Sequence, residues 1–165
     1  MEIPAFVESF NPVYWAIPLF TILVVAEMVY AKRSGKARFE PRDSAASLLM
    51  GLGSTVSGVL FGGLLTAWAM FIYQFRMFDI DFAWWVWPLA FVLDDLVYYW
   101  SHRFGHTIRW FWADHIIHHS SQHYNLTTAL RQSWLSPLTL KFLWLGSALI
   151  LLGIHPLVIG IVTGF

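Results

Sequence analysis

Apolar residues come in five blocks along this chain, separated by short polar segments. The first block, residues 13–31 (VYWAIPLFTILVVAEMVYA), holds one charge, Glu27, and approaches the ~20 residues a helix needs to cross hydrocarbon. Residues 32–42 (KRSGKARFEPR) follow, with five basic side chains against one acid. The second block, residues 45–75, is longer than one span requires, which predicts tilt or a surface segment. Within it, Gly58 and Gly62 form a small-xxx-small spacing that lets helices approach closely. A short polar turn at residues 76–81 precedes the third block, residues 82–100, which carries Pro88 inside it and Asp94-Asp95 late in it. Residues 101–134 are polar and rich in histidine. The fourth block covers residues 135–153, His155-Pro156 interrupts it, and a fifth begins at residue 157. The pattern predicts an all-α, multi-pass transmembrane helical bundle with about four spans and a partial fifth. No repeat or soluble domain interrupts it, so residues 1–165 read as one membrane domain.

Composition supports that reading. Hydrophobic residues make up 58% and charged residues 12% of the chain, about half the charge of an ordinary soluble domain. Ten tryptophans fit a protein with much surface at the lipid–water boundary. Basic and acidic residues balance, so charge gives no argument for a nucleic-acid partner. With no cysteine, thiolate metal sites, iron–sulfur ligation and cysteine catalysis are excluded. Glu2 and Glu8 stand where a signal peptide would be basic, so the first block reads as a retained helix. The basic segment 32–42 belongs on the cytoplasmic side. Two further crossings bring the histidines out on that same face, where Arg103 and Arg109 also sit.

Six of the seven histidines fall within residues 102–123. His102 and His106 are four apart, about 40° from each other around a helix. His115, His118 and His119 follow i, i+3, i+4 spacing, again one helical face. Neutral imidazoles so spaced can converge on a metal at ~2.0–2.2 Å. His106 and His115 differ by about 180° on a continuous helix. If both boxes serve one site, the helix must therefore break between residues 107 and 114, with Trp110 and Trp112 lying in the membrane interface. Asp95 lies about 20° off the His102 stripe and is the candidate to orient an imidazole through its other nitrogen; Asp94 points elsewhere and is weaker. A charged pair packed against another helix is the structural reading of both. His123 lies in a loop and reads as a sixth ligand, a substrate contact or neither. Arg131 and Gln132 could meet a polar headgroup or simply pair within the fold. His155, before Pro156, reads as a helix-end residue. A zinc peptidase would need Glu after its first histidine, where Arg103 stands, and no G-x-S-x-G elbow is present.

Residues 94–136 (DDLVYYWSHRFGHTIRWFWADHIIHHSSQHYNLTTALRQSWLS) resemble the fatty acid hydroxylase/sterol desaturase superfamily of membrane histidine-box enzymes. The stretch HHSSQHYNLTTALRQS is most similar to its alkylglycerol monooxygenase-like and bacterial sterol-desaturase-like branch. His102 and His106 match the family's first box, and His115, His118 and His119 its second. The resemblance implies a di-iron centre that uses O2 and an electron donor to hydroxylate or desaturate a lipid of the fatty acid, sterol or alkylglycerol class. Imidazole donors alone leave zinc open as an alternative occupant. Family members carry a further H-x-x-H-H box that this chain lacks. The expectation is an N-terminal portion that needs the remainder of the domain, or a partner chain, to complete the site and become active. The rival readings are a non-catalytic membrane metal-binding or scaffold protein and a zinc-dependent membrane hydrolase.

Overall fold

A computed structural model describes residues 13–35 and 39–163. Glu2, Glu8, Lys36, Arg38 and the last two residues of the fifth block lie outside the described residues. Every regular element among the described residues is helical. Helix α1 (Val13–Ser34) ends on Lys32 and Arg33, cations suited to the negative end of a helix dipole. Helix α2 (Pro41–Tyr73) starts where its sequence says it should. Proline occupies the first turn, where its missing N–H is no loss. The Glu40 carboxylate accepts from the Asp43 backbone N–H at 2.6 Å, meeting one of the donors a helix start leaves open.

These two helices are long and apolar enough to cross a membrane. At ~1.5 Å per residue, α2 reaches about 50 Å, which accounts for the excess length of the second apolar block. Their apolar side chains, such as Trp15, Ile22, Leu52 and Leu60, stand exposed. A helix apolar on all sides and uncovered by protein is suited to lipid. The remaining helices are α3 (Val86–Thr107), α4 (Arg109–His115), α5 (Ser136–Thr139), α6 (Lys141–Leu151) and α7 (Pro156–Thr163), with 3₁₀ turns at His118–Ser120 and Leu126–Leu130. Among the described residues, α1 and α2 meet the length and apolarity of a span. The third block begins its helix late, so Pro88 falls in the first turn of α3, where no backbone bond is lost. The fourth block is divided at Leu140, whose φ of 60° is left-handed, leaving pieces of four and eleven residues.

Contacts divide the chain into two units, one of Met1–Ala16, Phe61–Arg103 and Leu140–Phe165, the other of Ile17–Leu60 and Phe104–Thr139. The first is held by carbon. Val86 and Ala90 of α3 are buried with Leu149, Ile154, Val158 and Val162, and Leu93 and Val97 extend the same α3 face. Met77 N–H donates to the Leu151 carbonyl at 2.7 Å. Gly153, at φ 108°, lets the chain turn there; a Cβ would run into the Phe78 backbone. His155 precedes α7 and accepts from Leu157 N–H through Nδ1 at 3.2 Å, the helix-end role expected of it. Its ring lies 4.9 Å from Tyr73 and 5.0 Å from Phe82, and burial, with Arg76 nearby, holds it below the usual histidine range.

The second unit is held by polar atoms. Trp134 fills the space a Cβ on Gly53 would need, and its Nε1 donates to the Met50 carbonyl at 3.0 Å. Cβ atoms at Gly58 and Gly62 would meet nothing within 4 Å. Close approaches on α2 therefore occur at Gly53 and at Gly51, where a Cβ would stand 3.0 Å from the Leu130 carbonyl oxygen, and not at the small-xxx-small pair. Asn125 caps the Leu126–Leu130 turn, its side chain accepting from Thr127 N–H while Thr128 answers to the Asn125 backbone, a reciprocal cap.

Candidate metal centre

The helical break required by the histidine spacing is present. Ile108 is extended, at φ −104° and ψ 119°, so α3 stops at Thr107 and α4 restarts in a new direction. His106, in the last turn of α3, then meets His115, in the last turn of α4. Gly105 makes the approach possible, because the His115 ring sits 3.2–3.4 Å from where a Cβ would stand.

His115 Nε2 lies 3.2 Å from His106 Nε2 and 3.2 Å from His119 Nε2. The three rings form a nearly regular triangle with centroid separations of 4.7, 4.8 and 4.8 Å, each pair steeply inclined. His102, one turn before His106 on the same continuous helix, completes a group of four whose ligand nitrogens all lie within 4.8 Å of one another. Trp112 stands beside the group, 5.6 Å from the His106 ring and 5.9 Å from the His119 ring.

This donor set fits a cation. Ligands about 2.1 Å from one metal are separated by about 3.0 Å at right angles and about 3.4 Å in a tetrahedron. The 3.2 Å spacings fall between. A neutral imidazole has a single lone pair and a single N–H, on different nitrogens. One Nε2 facing two others is satisfied on one side by a proton, whereas a cation among them satisfies all three. Burial first, then the His106 and His118 rings, holds His119 below the usual histidine range.

Four of the five boxed histidines thus come together, and His118 does not belong to that group. Its ring stacks on His115 at 5.9 Å, and its Nδ1 is buried with no partner among the described residues. Asp95 is exposed and lies outside the group, while Asp94 accepts from the Thr163 hydroxyl at 3.1 Å. His123 lines a separate cleft of about 580 Å³ with Met28, Ala31, Lys32, Phe39, Glu40 and Pro41. Gln132 is exposed and donates to the Ala129 carbonyl. Arg131 is 7% exposed and bonds to Asp43, Ser47 and Ser120.

Sequence spacing missed Asp114. It is 7% exposed, adjoins His115, and accepts from the Ser136 hydroxyl at 2.9 and 3.0 Å. Its signal was its place directly before the second box. Glu27, the lone charge of the first block, accepts from Leu126 N–H at 2.7 Å through its carboxylate.

A sequence profile for fatty acid hydroxylases matches residues 87–165. The chain is 36% identical over 138 residues to alkylglycerol monooxygenase of Xenopus tropicalis, covering 81% of this chain and 29% of the relative. It is 34% identical over 134 residues to the Homo sapiens protein of that name and 35% over 137 to that of Danio rerio, each match covering 80% of this chain and 29% of the relative. The chain therefore spans less than a third of the length of these relatives. No solved structure matches it.

Proposed function

Because the chain belongs to the fatty acid hydroxylase superfamily, on its alkylglycerol monooxygenase-like branch, we propose that it carries the first two histidine boxes of a membrane non-haem di-iron oxygenase acting on a lipid. The relatives' name makes an alkylglycerol the first substrate to test, with fatty acids and sterols next. The observation that carries the reading is the His106–His115–His119 triangle, open to one shared point. His102, His106, His115 and His119 would hold one iron, and the unpartnered His118 Nδ1 marks that residue as a ligand for a second. Further ligands for the second iron would come from beyond residues 1–165 or from a partner chain. When bound, iron supplies O2 activation: one oxygen atom enters a lipid C–H bond, the other leaves as water, and a donor provides two electrons and two protons.

The chain's own residues supply placement. Asp114, through Ser136, steadies α4 so that His115 faces His106. Trp112 walls one side and limits water at the ligating nitrogens. We place the boxes on the cytoplasmic face within one multi-pass membrane domain. Two bonds support that side: Glu27 near the end of α1 holds Leu126, and Asp43 near the start of α2 holds Ser121. Both tie the loop after the second box to the basic segment between α1 and α2.

Metal analysis of the detergent-purified full-length protein tests the reading. Iron at two per chain, with O2 consumed as lipid is oxidised, is the expected result. Zinc at one per chain with no O2 uptake would replace it with a binding or hydrolytic role.

A further inference from the structure

We propose that the Asp43–Arg131 pair positions the second histidine box, fixing the course of the chain at His118–Ser120 from the start of α2. The inference rests on the metal-centre reading above. The box has little regular structure of its own: α4 ends at His115, and a single 3₁₀ turn carries His118 to Ser120. Side-chain bonds supply what the helix does not. The Ser120 hydroxyl donates to the Ile117 carbonyl at 2.7 Å and accepts from Arg131 Nη1 at 3.1 Å. One hydroxyl therefore closes the turn and links it to the guanidinium. The next residue, Ser121, donates to Asp43 Oδ2 at 2.6 Å. Arg131 Nη2 donates at 2.8 Å to both the Asp43 carbonyl and Oδ1, and Nε donates to Ser47 Oγ at 3.2 Å. The Arg131 and Asp43 side chains are 8% and 14% exposed, so water competes little for these bonds.

The geometry calls for arginine in particular. Its planar fork offers five donors in fixed directions, and here three nitrogens reach Ser47, Ser120 and Asp43 separately. Lysine keeps the charge on a single nitrogen and cannot reproduce that arrangement. Arg131 and Asp43 touch no ligating nitrogen; they act through Ser120 and Ser121 on the residue before them, His119.

The test uses the full chain in detergent, with Co²⁺ as the probe, followed by titration and by the visible spectrum of the bound ion. The metal-free protein is melted in parallel. Wild type is expected to bind Co²⁺. Arg131→Lys should bind about tenfold more weakly, as when an outer-shell partner is lost, with shifted Co²⁺ bands. Ser120→Ala, which removes the turn-closing hydroxyl and its link to the guanidinium but leaves the Asp43–Arg131 pair in place, should move affinity and spectrum the same way by a smaller factor at unchanged melting temperature. Unchanged binding in both variants overturns the positioning role while leaving the metal centre standing. Loss of binding in Arg131→Lys only in step with earlier melting, with Ser120→Ala indistinguishable from wild type, overturns it too. Wild type that takes up no Co²⁺ overturns the metal-centre reading and this inference together.

Discussion

In one unit of this protein what is buried is carbon, and in the other it is nitrogen and oxygen. Among the described residues, and apart from Ala31, the buried apolar residues (Val86, Ala90, Leu149, Ile150, Ile154, Val158 and Val162) belong to the unit that includes residues 61–103 and 140–165. Apart from Ser101, the buried polar residues among those described (Ser47, Ser57, Asp114, Asn125, Thr127, Thr128, Arg131 and Ser133) belong to the unit of residues 17–60 and 104–139. Apolar contacts are non-directional, so they stabilise without dictating where a particular atom points. Hydrogen bonds weaken steeply when misaligned, and a buried polar group left without one costs about 1–3 kcal/mol. A polar network therefore specifies position. The unit built on it is the one that must hold imidazole nitrogens 3.2 Å apart.

The contrast can be broken most sharply by removing a ligand. His115→Ala takes away the nitrogen that faces both His106 Nε2 and His119 Nε2 and leaves the apolar cluster of the other unit untouched. Metal content should fall by about 100-fold or more, at the upper end of losses seen even for supporting residues. Thermal melting of the metal-free protein should stay as in wild type. A His115→Ala protein that keeps its metal would end the ligand assignment.

The converse is next in size. Ile154 is 1% exposed within the apolar cluster. Ile154→Ala should lower unfolding stability by about 2–4 kcal/mol, the usual range for such truncations, and leave metal affinity unchanged once folded protein is selected. If metal affinity fell as steeply as stability, the division of labour between apolar and polar burial would be wrong.

A smaller effect is expected at Ser136. Its hydroxyl contacts both carboxylate oxygens of Asp114, next to His115. Ser136→Ala removes a hydrogen bond to a charged group, worth about 1.5–3 kcal/mol, and should weaken metal binding several-fold through the orientation of α4. Ser136→Thr, which keeps the hydroxyl, should restore most of the affinity. Equal loss in both variants would point to packing and not to the bond.

How far these features are legible in sequence depends on whether local spacing encodes them. The break at Ile108 was foreseeable, because nine residues turn a helix through about 180° and both boxes must face one point. The start of α7 was signalled by His155-Pro156. What the arithmetic did not show is that His118 stands apart from the other four boxed histidines. Spacing of i and i+3 shares a face only while the helix continues, and here α4 ends at His115, so His118 leaves the group. Arg131 could be read as a headgroup contact or as a pair within the fold, and its partner could not be named because Asp43 is 88 residues away, beyond any local pattern. The division of the fourth apolar block falls at Leu140 itself, a residue that seldom takes a left-handed φ, three residues after Pro137.

The smallest and most pointed test of the polar unit lies at Gly105. A Cβ there would stand 3.2 Å from Cγ, 3.3 Å from Cδ2 and 3.4 Å from Cβ of His115, tighter than ordinary van der Waals contact, so the ring must yield by a few tenths of an ångström. Gly105 is helical and its φ needs no glycine; alanine also raises helix propensity by about 1 kcal/mol. Gly105→Ala should therefore leave the melting temperature of the metal-free protein equal or slightly higher while displacing the His115 ring from His106. Metal affinity should drop about three- to tenfold, roughly 0.7–1.4 kcal/mol. Stability and binding moving in opposite directions is the outcome that separates position from cohesion. Were Gly105→Ala to bind metal as tightly as wild type, the close approach of α3 and α4 would be a packing accident and the specificity of the polar unit would have to lie elsewhere.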